Sequence, residues 1–238
     1  ALTSSTVTSL RNCTSGVGGA SVTPREPIGR PPQTRPPHAA CRRGCLDGAV
    51  VSQAQAVPTP DRSVRVAWVA DAAAMGRVQA QAWQACRGLL PEGVLDTLDP
   101  DDLATAWADS LRRPPTGQHR ALVALDGNAV VAFASVGPGT DPDADPVRDA
   151  EMTTLAVPPD ARGGGHGSRL LAAVADTARA DGFARLTTWV FAVDDALRAF
   201  LESAGWAPDG AHRQVAAEDD PQTEPARQVR MHTDVEDA

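Results

Sequence analysis

From Val64 onward the apolar residues fall into short runs whose spacing switches between two residues and about 3.6. VRVAWVA at 64–70 is β-branched and alternating, which predicts a strand. DAAAMGRVQAQAWQACRG at 71–88 opens on a capping Asp71, continues in helix formers and stops at Gly88, which predicts a helix. A second helix follows Pro100 through DDLATAWADSLRR and ends before Pro114 and Pro115, because proline lacks the amide that a helix interior needs. ALVAL and AVVAFASV flank Asp126-Gly127-Asn128, and aspartate-glycine between apolar runs predicts a hairpin over 121–136. After the acidic loop DPDADPVRDA, EMTTLAV at 151–157 reads as another strand, whose alternation puts residues 151, 153, 155 and 157 on one face. HGSRLLAAVADTARADG is amphipathic, with Leu170, Leu171, Val174 and Ala178 on its apolar side and Gly182 as its stop. ARLTTWVFAV at 184–193 is strand-like; Asp194 or Asp195 caps a helix through Ala204 that Gly205 ends; AHRQV and QVRMHTDV supply two last strands. The predicted order is β α α β β β α β α β β, which is an α/β (α+β) class.

Residues 1–62 differ in kind. They are Ser, Thr, Pro, Gly and Arg with few large apolar side chains, too little to offset the entropy of ordering, so a disordered tail is expected ahead of one domain at 63–238. Seven arginines against three acidic residues give the tail +4, and since the whole chain is −8 the domain is left at −12. An acidic domain repels nucleic acid and anionic membrane, so neither is expected as a partner; a nucleic-acid arm made of the Arg-rich tail is the rival reading. Cys13, Cys41 and Cys45 lie in the tail and Cys86 in the first helix, a spacing that gives no disulfide framework. His38, Cys41 and Cys45 lack a nearby fourth ligand, so no metal is expected. No run approaches the ~18 apolar residues of a membrane-spanning helix. No basic segment followed by an apolar one opens the chain, and a cytoplasmic location is the expectation.

The candidate chemistry lies in DARGGGHGSRLL at 160–171, where four glycines crowd into five residues. Glycine costs chain entropy and is kept where φ is positive or where something approaches the main chain closely. A P-loop is excluded, because the chain contains no lysine to reach the phosphates. A dinucleotide-fold fingerprint also fails: counting from Gly163 or Gly165 puts Ser168 or Leu170 where the third glycine belongs. What remains is a turn of Arg162, Gly163, Gly164, Gly165, His166 and Gly167 at a helix start, whose unpaired amides and dipole favour a phosphate. A glycine-rich solvent loop is the alternative.

These residues resemble the GNAT superfamily of N-acetyltransferases. Leu155-Ala156-Val157-Pro158 followed by Arg162-Gly163-Gly164-Gly165-His166-Gly167 and Leu170-Leu171 looks like the family's Arg/Gln-x-x-Gly-x-Gly/Ala motif after a strand. Asp194 through Trp206 is similar to its N-x-x-A…Y-E-x-x-G-F/W segment, and the resemblance covers about 64–234. It implies a GNAT fold, a mixed and mostly antiparallel sheet with two splayed parallel strands and acetyl-CoA between them. It further implies a bulge near Leu155, Ala156 and Val157 that frees main-chain groups for pantetheine, and a pyrophosphate on the amides of Arg162 through Ser168. Asp194 and Leu201 complete the implied cofactor contacts. Glu151, near the family's catalytic glutamate, is the candidate general base, with a solvent-exposed strand-end charge as the other reading. An amide near Ala156 or Val157 would meet the oxyanion.

The family's proton-donating tyrosine is absent: its position is Leu201, followed by Glu202, and the chain has no tyrosine. The expected activity is acetyl transfer to a primary amine of a small molecule or peptide, in a chain that the family allows to be a homodimer. A non-catalytic acyl-CoA-binding module is the alternative that the missing tyrosine favours. His166 is expected to face solvent or the cofactor phosphates. Trp68, Trp83, Trp107, Trp189 and Trp206 are expected as core or pocket wall. Asp96, Asp99, Asp101, Asp102, Asp141, Asp143, Asp145 and Asp149 read as a solvated surface, with attraction of a cationic amine as the alternative.

Overall fold

The computed structural model of the chain describes residues 61–87, 95–96, 98–215 and 226–235. Residues 1–60 of the expected tail, with Cys13, His38, Cys41 and Cys45, lie outside these residues, as does Gly88.

Seven strands are formed among the described residues: β1 Arg62–Val66, β2 Arg120–Asp126, β3 Ala129–Pro138, β4 Asp149–Ala156, β5 Arg185–Phe191, β6 Ala207–Val215 and β7 Ala226–Asp234. They make one sheet in the order β1-β2-β3-β4-β5-β7-β6, antiparallel throughout except for β4 beside β5. The expected mixed, mostly antiparallel sheet is therefore present, and β1 begins one residue before the expected domain boundary. The β2–β3 hairpin turns at Gly127-Asn128 with Gly127 at φ 59°, where a side chain would be strained.

Among the described residues, the helices α1 Ala72–Gln84, α2 Pro100–Arg112, α3 His166–Ala180 and α4 Asp195–Ser203 flank the sheet. Their ends follow local chemistry. Asp99 accepts from the Asp101 amide at 2.8 Å ahead of Pro100, and Arg112 sits in the last turn of α2. Asp194 caps α4 by accepting from the Leu197 amide at 3.0 Å. Asp71 departs from expectation. It holds the N-cap place of α1 but its carboxylate turns back to the Trp68 amide at 2.7 Å and to Arg65, so it ties the β1 exit rather than the helix.

The two faces of the sheet carry separate cores. On one, Leu170, Leu171 and Val174 of α3 and Leu197 and Leu201 of α4 pack on Met152, Leu155, Leu186 and Val190. On the other, Met75, Val78 and Ala82 of α1 meet Val123, Phe133 and Ala156, with Trp107 of α2 packed alongside. Trp83, Trp189 and Trp206 are buried as expected, whereas Trp68 is 63% exposed, its ring stacked under the Arg65 guanidinium at 3.9 Å. Cys86 is buried beside Trp83 and Phe191. Among the described residues no helix is long and apolar enough to cross a membrane.

Helices α1 and α2 meet at Gly76, where a Cβ would stand 2.5 Å from the Pro100 carbonyl and 2.7 Å from the Ala104 amide. Gly76→Ala is expected to destabilise by about 1–3 kcal/mol through this overlap, although alanine is the better helix former. Urea unfolding checks it: a midpoint that stays or rises would mean that the two helices separate freely.

Candidate functional site

The sheet opens at its centre. Strands β4 and β5 pair only through Asp149, Ala150 and Glu151 with Arg185, Leu186 and Thr187, and beyond that β5 offers β4 no strand partner. At the split, side chains replace main chain: the Thr187 hydroxyl donates to the Ala150 carbonyl at 3.3 Å and the Thr188 hydroxyl to the Met152 carbonyl at 2.8 Å. On its other side β4 keeps its ladder to β3, with Ala134 opposite Leu155 and Phe133 opposite Ala156.

A bulge lies in β4, but earlier than expected. Ser135 pairs with Thr154 and Val136 with Met152, which leaves Thr153 as the extra residue, not a position near Leu155, Ala156 or Val157. One added residue reverses the alternation beyond it. Met152, Leu155 and Val157 consequently face α3, and Glu151 does not share a face with Leu155 and Val157 as the strict alternation predicts. Leu155, Ala156 and Val157 are all buried.

Past β4 the chain makes a 3₁₀ turn at Pro159–Ala161 and then the glycine turn. Gly163 and Gly165 take φ of 73° and 76°, and Gly165 is the N-cap of α3. The first amide bonded into the helix is that of Arg169, to the Gly165 carbonyl at 3.1 Å, so the amides of His166, Gly167 and Ser168 precede the helical ladder. Gly167 is a close approach: a Cβ would lie 3.2 Å from the Phe200 ring and 3.8 Å from Val157. The Gly164 carbonyl is held by Arg62 at 2.9 Å and Arg169 at 3.1 Å. A cavity of about 470 Å³ adjoins the turn, walled by Arg62, Asp126, Pro158, Arg162, Gly163 and His166.

Two side chains of the turn depart from expectation. The Arg162 amide bonds to the Pro159 carbonyl and its Nε donates to the Val157 carbonyl at 3.1 Å, so this residue ties the turn to the end of β4. Burial pushes its guanidinium below the usual value, and the charge of Asp194 offsets part of that. His166 does not face bulk solvent, and it contributes to the wall of the cavity beside the turn. It is 4% exposed, its Nε2 is 3.9 Å from Asp126 and its buried Nδ1 has no partner among the described residues.

Glu151 stands where β4 and β5 part. It is 6% exposed, not a solvent-exposed strand-end charge, and its Oε2 accepts from the Thr140 hydroxyl at 2.9 Å. Asp194 is buried as the cap of α4. Leu201 is wholly buried in the α3–α4 core, because it lies on the apolar side of α4, so its side chain does not reach a cofactor surface.

Around Glu151 lies a charged group that the sequence reading does not bring together. Sheet register sets Glu151 beside Thr187, Trp189 opposite Arg230, and Phe191 opposite Gln228 opposite Arg213, all on the α1–α2 face. Arg230 donates to Asp209 at 2.6 Å, to Asp143 at 2.6 and 2.7 Å and to Asp141 at 3.1 Å. These bonds hold Asp143 well below the usual carboxylate range, at about 2, and raise the guanidinium further. Asp141 also accepts from the Trp189 indole at 3.0 Å. The acidic β3–β4 loop was the only sequence signal, and nothing in its spacing names partners 87 to 89 residues away. On the same face, a cavity of about 250 Å³ lies under α2, lined among others by Gln79, Trp107, His119, Ser135, Thr153 and Thr154.

A sheet split between two parallel strands, with a glycine turn and helix start at the mouth and a buried carboxylate at the apex, is the arrangement expected of the GNAT acetyltransferase fold. The model of the Acetyltransferase (GNAT) family matches residues 82–206, more than half of the chain, and the chain belongs to that family. Its fold is similar to that of YncA, a putative acetyltransferase from Salmonella typhimurium with its cofactor acetyl-CoA. Identity is 22%, over 75% of this chain and 96% of that one, with a TM-score of 0.55. It is also similar to ribosomal-protein-alanine N-acetyltransferase from Brucella melitensis, at 24% identity over 72% and 99% of the two chains, TM-score 0.56. PaiA N-acetyltransferase from Thermoplasma acidophilum, in complex with coenzyme A, is similar at 13% identity over 73% and 98%, TM-score 0.58. No curated protein matches the chain.

Burial is the largest cause that lowers the His166 pKa from its usual 6.5, with the Arg62 charge next and Asp126 opposing. The unfolded chain then binds the proton more readily than the fold. This contribution is therefore flat above about pH 6.5 and becomes a loss of stability as pH falls through that value towards the folded pKa. Urea midpoints at pH 7.5 and 5.5 are expected to drop more for the wild type than for His166→Gln; equal drops would remove His166 as the cause.

Proposed function

We propose that this chain is an acetyl-CoA-dependent N-acetyltransferase acting on a primary amine. The observation that carries the reading is the wedge beyond Glu151 and Thr187, which runs to the glycine turn and the N-terminus of α3. The fit is steric and electrostatic. Gly165 and Gly167 sit where side chains would strain or crowd the turn, and the amides of His166, Gly167 and Ser168 lie at a helix start suited to a pyrophosphate. Arg62, Arg162 and Arg169 stand around it. Similar solved structures that hold acetyl-CoA or coenzyme A support the same ligand here.

When bound, acetyl-CoA supplies an acetyl group activated as a thioester. This chain's own part is positioning and proton handling. Holding an amine beside the wedge removes much of the entropic barrier. Glu151, kept in place by Thr140, takes the amine proton directly or through a water. The β5-facing main chain of β4 beyond Met152 is free of a strand partner, which leaves amides there to meet an oxyanion. Buried Leu201 supplies no proton to the departing sulfur. A thiol of pKa about 8.5 leaves as thiolate or takes its proton from water, so the chemistry does not require one. The same buried Leu201 favours the second reading, an acyl-CoA-binding module without turnover.

Calorimetric titration of the full chain with acetyl-CoA is expected to show binding that Gly165→Asp removes, since the change adds a negative charge and a strained side chain at φ 76°. Glu151→Gln is expected to keep that binding and lose about 10²-fold or more in kcat. Binding without turnover on any amine would favour the binding module, and no binding by the wild type would sink both.

A further inference from the structure

We propose that the amine acceptor carries a carboxylate of its own, and that Arg213 binds this carboxylate while Glu151 faces the amine. The inference rests on the transferase reading above and names its substrate class.

Three arginines approach the α1–α2 face around Trp189, and their situations differ. Arg230 is occupied by Asp141, Asp143 and Asp209, and Arg185 is paired with Asp209 at 3.2 Å. Arg213 has no carboxylate within ion-pair distance among the described residues. Its Nε donates to Gln228 Oε1 at 2.8 Å and its guanidinium lies over the Trp189 ring at 4.4 Å. Its two terminal amino groups have no partner among the described residues. Stacking on the indole fixes the plane of the guanidinium, and Gln228 fixes its rotation. What is left is a flat, pre-set fork of donors, the geometry that takes a carboxylate through two parallel hydrogen bonds.

The surroundings favour an anion at this place. Burial pushes the Arg213 guanidinium below its usual value, and the charges of Glu151 and Asp141 offset that only in part. A poorly solvated cation gains more from a bound carboxylate than an exposed one does. The acidic loop does not compete, because Asp141 and Asp143 are engaged by Arg230. Glu151 pairs with Thr187, two residues along β5 from the Trp189 on which Arg213 stacks, so an amine at one and a carboxylate at the other can belong to one small molecule. An amine whose only other groups are cationic would meet the Arg213 charge.

The test uses the full chain with saturating acetyl-CoA, thiol release as readout, and a panel of α-, β- and γ-amino acids, each against its carboxamide. Wild type is expected to turn over a carboxylate member with kcat/KM at least tenfold above its amide. Arg213→Gln should level that preference through the amine KM, with the acetyl-CoA KM unchanged, and Arg213→Lys should restore part of it. A merely structural role for Arg213 would move both acceptors of a pair alike. Amides used as well as acids, a preference that survives Arg213→Gln, or no turnover by a protein that binds acetyl-CoA would each overturn the proposal. Absence of acetyl-CoA binding would instead take down the transferase reading on which it rests.

Discussion

Three residue pairs are all that join β4 to β5, and the rest of the site depends on how that short contact is ended. Splitting a sheet at its centre strips carbonyls and amides of their partners, which is costly when they are buried. Here the first carbonyls at the split are taken by the hydroxyls of Thr187 and Thr188, so β5 stays attached while its backbone begins to leave. The opening also has to be held from both sides. One core, built on α3 and α4, spans it through Leu170, Met152, Leu186 and Val190, while β4 stays laddered to β3 on its outer side. The wedge is thus a built feature of a continuous sheet and not a gap between two units.

The bulge at Thr153 decides what the wedge presents. Without it, Glu151 would share the α3 face with Leu155 and Val157, a place where an unpaired carboxylate is expensive. With it, the apolar residues on either side of the bulge face α3, and Glu151 reaches Thr140. One inserted residue therefore separates the apolar support of the glycine turn from the polar chemistry at the apex. Arg162 closes the other end, its Nε on the Val157 carbonyl, so that turn and strand move together.

Much of this was legible in the chain. The order of strands and helices follows from period and punctuation, and the glycine turn from its density of glycine beside one arginine. Glu151 was identified from the resemblance, as a residue at the head of its strand. What was not legible shares one physical origin, the absence of local trace. A bulge leaves no mark in alternating Thr153 and Thr154, both of which suit either face. Leu201 reads as a cofactor contact by motif position, yet an apolar residue on the inner side of α4 is drawn into the core. The place of His166 in the cofactor motif suggests solvent or the cofactor phosphates, but the bare Gly164 lets its ring fold beneath the turn, 2.9 Å from where a Cβ of Gly164 would be. Arg230 and Arg213 come from the last two strands, and only sheet order brings them to Glu151.

The charge of the domain takes a different meaning once these contacts are known. A balance of −12 suggests attraction of cations, but that inference treats every carboxylate as equally available. On the α1–α2 face the available charge is otherwise. Asp141 and Asp209 are bound by one arginine that is 7% exposed, where salt screens them far less than surface pairs, and the same arginine holds the more exposed Asp143. Other exposed acidic residues, such as Asp101 and Asp102 in the first turn of α2, complement the helix dipole. Near Glu151 the Arg213 guanidinium has no carboxylate partner among the described residues, so the local field at the apex is set by a carboxylate and a cation together. Net charge describes the solvated shell of this domain, and the site answers to the few groups that the sheet removes from it.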